Sequence, residues 1–208
     1  SNATGTIRTC STMPPELRQL PERIFTDETV AEMYAQMFRY APEVRARAEA
    51  IIRQAGIGDS PCGKLLRAAA LYRWVQEHMT YLDDHLAVQQ IVGPAALLEE
   101  IDTHGTAFGN CVEYTVLLGA LLVSVGIDVE IVTTSARDDG EWDHTYLWLR
   151  TECPPDHVFE VLGLVDPVAA DAIHGAAFGW ELDADAGDEV IRKRIWPAPA
   201  WAAERAGM

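Results

Sequence analysis

The chain has 208 residues, 49% hydrophobic and 23% charged, which suits one globular domain with a sizeable core. Its 16 basic and 32 acidic residues leave a formal net charge of −16, which repels phosphate backbones and disfavours nucleic acid as a partner; the acid excess reads first as solubility and second as attraction for a basic substrate. No run of about 18 apolar residues occurs, so no membrane-spanning helix is expected, and Cys10, Cys62, Cys111 and Cys153 are too widely spaced to suggest a disulfide framework or a zinc site.

Ser1-Asn2-Ala3 reads as the scar of a cleaved tag and is set aside. It hides the native start, so the cytoplasm is only the default compartment and export stays open. Residues 4–25, rich in Thr, Pro and Arg, read as an arm. One domain is expected over 26–196, with an alanine-rich tail over 197–208. Thr26 caps a helix over Asp27–Phe38 with acids in its first turn. Pro42 and Gly56 bracket a second helix. Ser60-Pro61 starts a third, with Leu65, Leu66, Ala69, Tyr72, Val75 and Met79 at helical spacing. Gly93-Pro94 opens a short helix through about Asp102, and His104–Asn110 is a glycine-bearing loop.

From Cys111 to Val125 the pattern is apolar almost all round, which predicts a buried central helix ended by Gly126. The period then changes to two. Ile127–Thr134 is a strand, Asp138-Asp139-Gly140 turns the chain into His144–Arg150, and Cys153-Pro154-Pro155-Asp156 turns it into Val158–Asp166. A fourth strand is expected near Glu189–Trp196. The fold class is α+β, a central buried helix on an antiparallel sheet with other helices outside.

Three residues in this frame propose a chemistry. Cys111 begins the buried helix, where unpaired N–H groups and the positive dipole end favour a thiolate. His144 opens a strand and Asp166 ends the next, the order of nucleophile, base and orienter. Adjacent strands lie roughly 5 Å apart, so His144 and Asp166 touch only if the register places them opposite. Singly, each has a plainer reading: core filler for Cys111, a surface residue for His144, a turn opener in Asp166-Pro167. Their order on successive elements raises the joint reading. His157 is the chief rival base. His78 complements a helix end. His104 stands in a loop where it is a candidate for substrate contact. Trp142 and Trp148 read first as core and second as indoles that exclude water.

The stretch Leu71–Asp166 resembles the transglutaminase-like superfamily of papain-fold thiol enzymes, bacterial and phage-borne members above all. Leu71-Tyr72-Arg73-Trp74-Val75-Gln76-Glu77-His78-Met79-Thr80-Tyr81 is similar to the family's helix ending in an aromatic. Gly109-Asn110-Cys111-Val112-Glu113-Tyr114 is similar to its Gly-Asp-Cys-Asp-Asp signature, with Asn110 and Val112 in place of two flanking acids. Asp143–Leu149 resembles its histidine strand and Val165-Asp166-Pro167 its aspartate strand.

The resemblance implies acyl transfer by a Cys111–His144–Asp166 triad acting on a protein or peptide amide. It implies no metal and no organic cofactor. The Cys111 N–H is expected to bind the oxyanion, with Asn110 and Tyr114 as candidates for the second donor. A cysteine peptidase or amidase is the first expectation, because water needs no second binding site. The alternatives are an inactive binding or structural module, phage-related in origin, and a transglutaminase or deamidase. Substrate identity and oligomeric state do not follow from the sequence.

Overall fold

The computed structural model describes residues 27–39, 41–58, 62–82, 91–135, 142–151, 153, 167–173, 176–181 and 192–201. Helix α1 (Asp27–Met37) starts with Asp27 and Glu28 and buries Val30, Met33, Tyr34 and Met37 at spacings of three and four. Helix α2 (Pro42–Gln54) has Pro42 in its first turn, where a missing N–H costs nothing. Helix α3 (Gly63–His78) begins slightly later than the Ser60-Pro61 signal and buries Leu65, Ala68, Leu71, Tyr72 and Val75. It runs straight into strand β1 (Met79–Tyr81). Helix α4 (Pro94–His104) stops at Gly105, whose φ of 81° lets its N–H reach back to the Ile101 carbonyl.

The loop expected over 104–110 contains a further strand, β2 (Ala107–Gly109), which pairs in parallel with β1. Three-residue strands carry too little periodicity to show in a sequence. Helix α5 (Cys111–Ser124) is buried at every residue from Cys111 to Leu122, and packs against α1, α2, α3, α4, β3 and β4. At Gly119 an added Cβ would meet Met37 Sδ at 2.6 Å, so a side chain there would have to displace the Met37 thioether of α1.

The main sheet comprises β3 (Asp128–Ser135), β4 (His144–Arg150), β5 (Val168–Ala170) and β6 (Arg192–Trp196), all antiparallel, in the order β5-β4-β3-β6. Leu147, Leu149, Val129 and Ile131 join the helices in the principal core. The strand expected over 158–166 lies outside the described residues, and the segment that pairs with β4 is 168–170.

Buried polar bonds lock helices to strands. Tyr34 Oη donates to the Trp196 carbonyl and accepts the Ile131 N–H at 2.9 Å, tying α1 to both β3 and β6. Tyr72 Oη lies 2.6 Å from the carbonyl oxygens of Asp171 and Ala176, tying α3 to the chain beyond β5.

One expectation from the sequence is overturned. Cys62 and Cys153 form a disulfide across 91 residues, with Cα atoms 4.8 Å apart. Cys62 precedes α3 and Cys153 follows β4, and the bridge packs with Leu65 and Val168. Spacing in the chain carries no sign of it, because the two sulfurs meet only when the end of β4 returns to the start of α3.

Burial raises the pKa of Tyr34, Tyr72, Tyr114 and Tyr146, that of Tyr114 to about 12. The unfolded chain releases these protons near pH 10 while the folded one keeps them, so the native state binds more protons and stability falls as pH rises. Urea unfolding should therefore show stability unaffected by these groups below pH 10, then lost at about 1.4 kcal/mol per pH unit per tyrosine.

Candidate functional site

The start of α5 is built by its neighbours in sequence. The Asn110 side chain accepts the Val112 N–H at 2.8 Å, and Glu113 Oε2 accepts the Asn110 N–H at 3.1 Å, a reciprocal cap. Glu113 Oε1 also accepts the Val92 N–H at 3.4 Å. A Cβ at Gly109 would stand 2.4 Å from Glu113 Cβ, so only glycine fits before this turn. The residues flanking Cys111 thus have structural roles: Asn110 and Glu113 cap the helix, and Val112 is wholly buried.

Cys111 takes the first helical position, where backbone N–H groups have no partner within the helix. It takes no part in the disulfide, is 1% exposed, and sits in the principal core. Thr115, one turn on and along the same face, donates from Oγ1 to the Thr145 carbonyl at 3.1 Å. The first turns of α5 therefore lie against the residue that follows His144.

His144 opens β4 with its side chain 15% exposed, and its Nε2 lies 2.6 Å from Asp171 Oδ2. Asp171 directly follows β5 and its side chain is 7% exposed. Its Oδ1 accepts the Ile173 N–H at 3.3 Å, and Tyr72 holds its carbonyl. Both carboxylate oxygens are thus held, and Tyr72 holds the backbone of the same residue. Sequence reasoning missed Asp171; the available signal was a lone acid inside the apolar run Val168-Ala169-Ala170-Asp171-Ala172-Ile173. Asp166, the orienter expected from the sequence, lies outside the described residues, as does His157.

The other candidates are dispersed. Tyr114 donates its hydroxyl to the Met79 carbonyl at 2.8 Å. His104 is the last residue of α4 rather than part of a loop, and is exposed. Trp142 is half-buried against the principal core. Trp148 gives its indole N–H to Glu181 at 2.7 Å. His78 stacks on Trp74 and bonds its carbonyl at the end of α3. The disulfide occupies Cys62 and Cys153. A cavity of about 660 Å³ lined by Arg45, Arg53, Arg67 and Val125 lies at the far end of α5 from Cys111. Among the described residues, no group of three His, Cys, Asp or Glu side chains is placed to hold a metal ion, and no helix is long and apolar enough to cross a membrane.

Comparison with known proteins adds one finding to this geometry. The model of the transglutaminase-like superfamily matches residues 53–167, more than half of the chain. No curated protein matches it.

Proposed function

Because the chain belongs to the transglutaminase-like superfamily, whose members typically transfer acyl groups through a cysteine, we propose that it is a cysteine peptidase or amidase. Cys111 is the nucleophile, His144 the base and Asp171 the carboxylate that orients it. The observation that carries this reading is the 2.6 Å bond between His144 Nε2 and Asp171 Oδ2, with His144 on β4, the strand that packs against the helix Cys111 begins, and Asp171 just past β5.

With Asp171 on Nε2, that nitrogen carries the proton and Nδ1 is the one that takes the thiol proton. The thiolate attacks the amide carbonyl carbon, and the carbonyl electrons move onto oxygen, where the Cys111 N–H helps hold them. The tetrahedral species collapses by breaking the C–N bond, and His144 returns its proton to the departing amine. Water then attacks the thioester, with His144 as base, and a carboxylic acid leaves. Asp171 stabilises the imidazolium that forms in each half-reaction. Nothing in these steps calls for a metal or an organic cofactor. The substrate is an amide of a protein or peptide.

The near-complete burial of Cys111 favours a second reading, an inactive module that kept the fold and lost turnover. An acyl-mimicking electrophile separates the two. In the first reading it attaches at Cys111 with a midpoint well below the ordinary thiol value of about 8.5, and His144→Ala slows it strongly. Equal reaction of both proteins would favour the inactive module. Incorporation of an added amine, or release of ammonia, would instead identify a transglutaminase or deamidase. The Cys62–Cys153 bridge supports export over the cytoplasmic default, because cytosolic thiol pools keep such pairs reduced.

A further inference from the structure

Along β4, His144, Tyr146 and Trp148 alternate onto one face of the sheet. Glu181 converges on that face. A single oxygen, Oε1, accepts from Tyr146 Oη at 2.6 Å, from Trp148 Nε1 at 2.7 Å and from Lys193 Nζ at 2.5 Å. Lys193 also lies 4.3 Å from the centre of the Trp148 ring. Three donors from two strands thus meet on one carboxylate, which is itself brought in by the segment after β5: the Gly179 N–H bonds the Ala169 carbonyl at 3.0 Å.

The next link runs from Tyr146 to the base. The Tyr146 ring lies within 27° of parallel to the His144 imidazole, with centroids 5.9 Å apart, an offset stack. Tyr146 is 1% exposed and packs against Val132 and Ala169, so its ring has no freedom except about its own axis. The bond to Glu181 fixes the phenol end. A flat ring stacked beside the imidazole limits its rotation about the bond to Asp171. Asp171 holds the base and Glu181 holds its stacked neighbour.

From this geometry we infer that Glu181 is a positioning residue for His144, acting through Tyr146 and never touching substrate. The inference rests on the proposed role of His144 as base. A plain surface ion pair with Lys193 would not need the phenol and the indole on the same oxygen, nor a ring stacked on the base.

The test uses the full oxidised chain and the rate of Cys111 alkylation by iodoacetamide as a function of pH. Glu181→Ala and Tyr146→Phe should each slow alkylation at pH 7 by about tenfold and move the midpoint toward that of an ordinary thiol, whereas Glu181→Gln, whose carbonyl oxygen still accepts, should stay within about twofold of the parent. Tyr146→Phe removes one oxygen and serves if Glu181→Ala fails to fold by circular dichroism. A Glu181→Ala profile that superimposes on the parent, while His144→Ala lies far from it, would overturn the positioning role and leave the base in place. Equal impairment of Glu181→Gln and Glu181→Ala would also overturn it, since charge and not ring placement would then matter. A His144→Ala profile identical to the parent would remove the base and the positioning role together.

Discussion

Asp171→Asn should lower turnover by about 10³- to 10⁴-fold with the fold intact, the scale of loss when an orienting carboxylate becomes an amide and the histidine is left in the wrong tautomer. An amide donates its N–H to Nε2, which puts the ring proton on Nδ1, where it blocks uptake of the thiol proton. The anchors of Asp171 are its carbonyl on Tyr72 and its Oδ1 on the Ile173 N–H. The first belongs to the backbone and survives the substitution, so thermal stability should change little beside the loss of rate. Asp166→Asn is the informative control. The sequence pattern Val165-Asp166-Pro167 points to it, whereas the 2.6 Å bond to His144 belongs to Asp171. Rates of acylation by a thioester-forming probe decide between them. A collapse in Asp166→Asn alongside an unaffected Asp171→Asn would reassign the orienting carboxylate.

The contrast between these two aspartates shows where sequence reading succeeds. Helix α5 was legible because an all-round apolar run of that length has few other solutions, and β3 and β4 because their period is two. The places of Cys111 at a helix start and of His144 at a strand start were legible too. Asp171 was not, because the choice between two carboxylates five positions apart depends on the register of β4 against β5, which places Trp148 opposite Ala169. Short runs such as Val168–Ala170 do not encode that register. Glu181 was invisible for the same reason, since its three donors come from strands that meet only in the sheet. The capping roles of Asn110 and Glu113 were half-legible: the residue types suit a helix start, but the closeness of Gly109 to Glu113 is a matter of coordinates.

Replacing both Cys62 and Cys153 with Ser should lower unfolding free energy by about 2–5 kcal/mol, as removal of a native bridge closing a long loop typically does. At roughly 2–4 °C per kcal/mol for a chain of this size, the midpoint should drop by about 4–20 °C. Urea unfolding with and without reductant provides the measurement. The loss should be felt beyond the bridge, because Val168 packs against the sulfurs and begins the strand that leads to Asp171. Thiol counting offers a direct check. In denaturant without reductant, Cys62 and Cys153 should resist iodoacetamide while Cys111 reacts. Labelling of all four cysteines would show the bridge to be open, and with it the case for export would fall.

The order β5-β4-β3-β6 has a practical consequence for anyone isolating the domain. The stretch matched to the superfamily, 53–167, holds β3 and β4 but neither of the strands that flank them, nor helix α1 with its Tyr34 latch. A fragment cut at those limits would present two long bare edges of adjoining strands, the arrangement most prone to sticking to copies of itself. Fragments trimmed to the shared stretch should therefore aggregate, whereas one running from Asp27 to Trp196 should not.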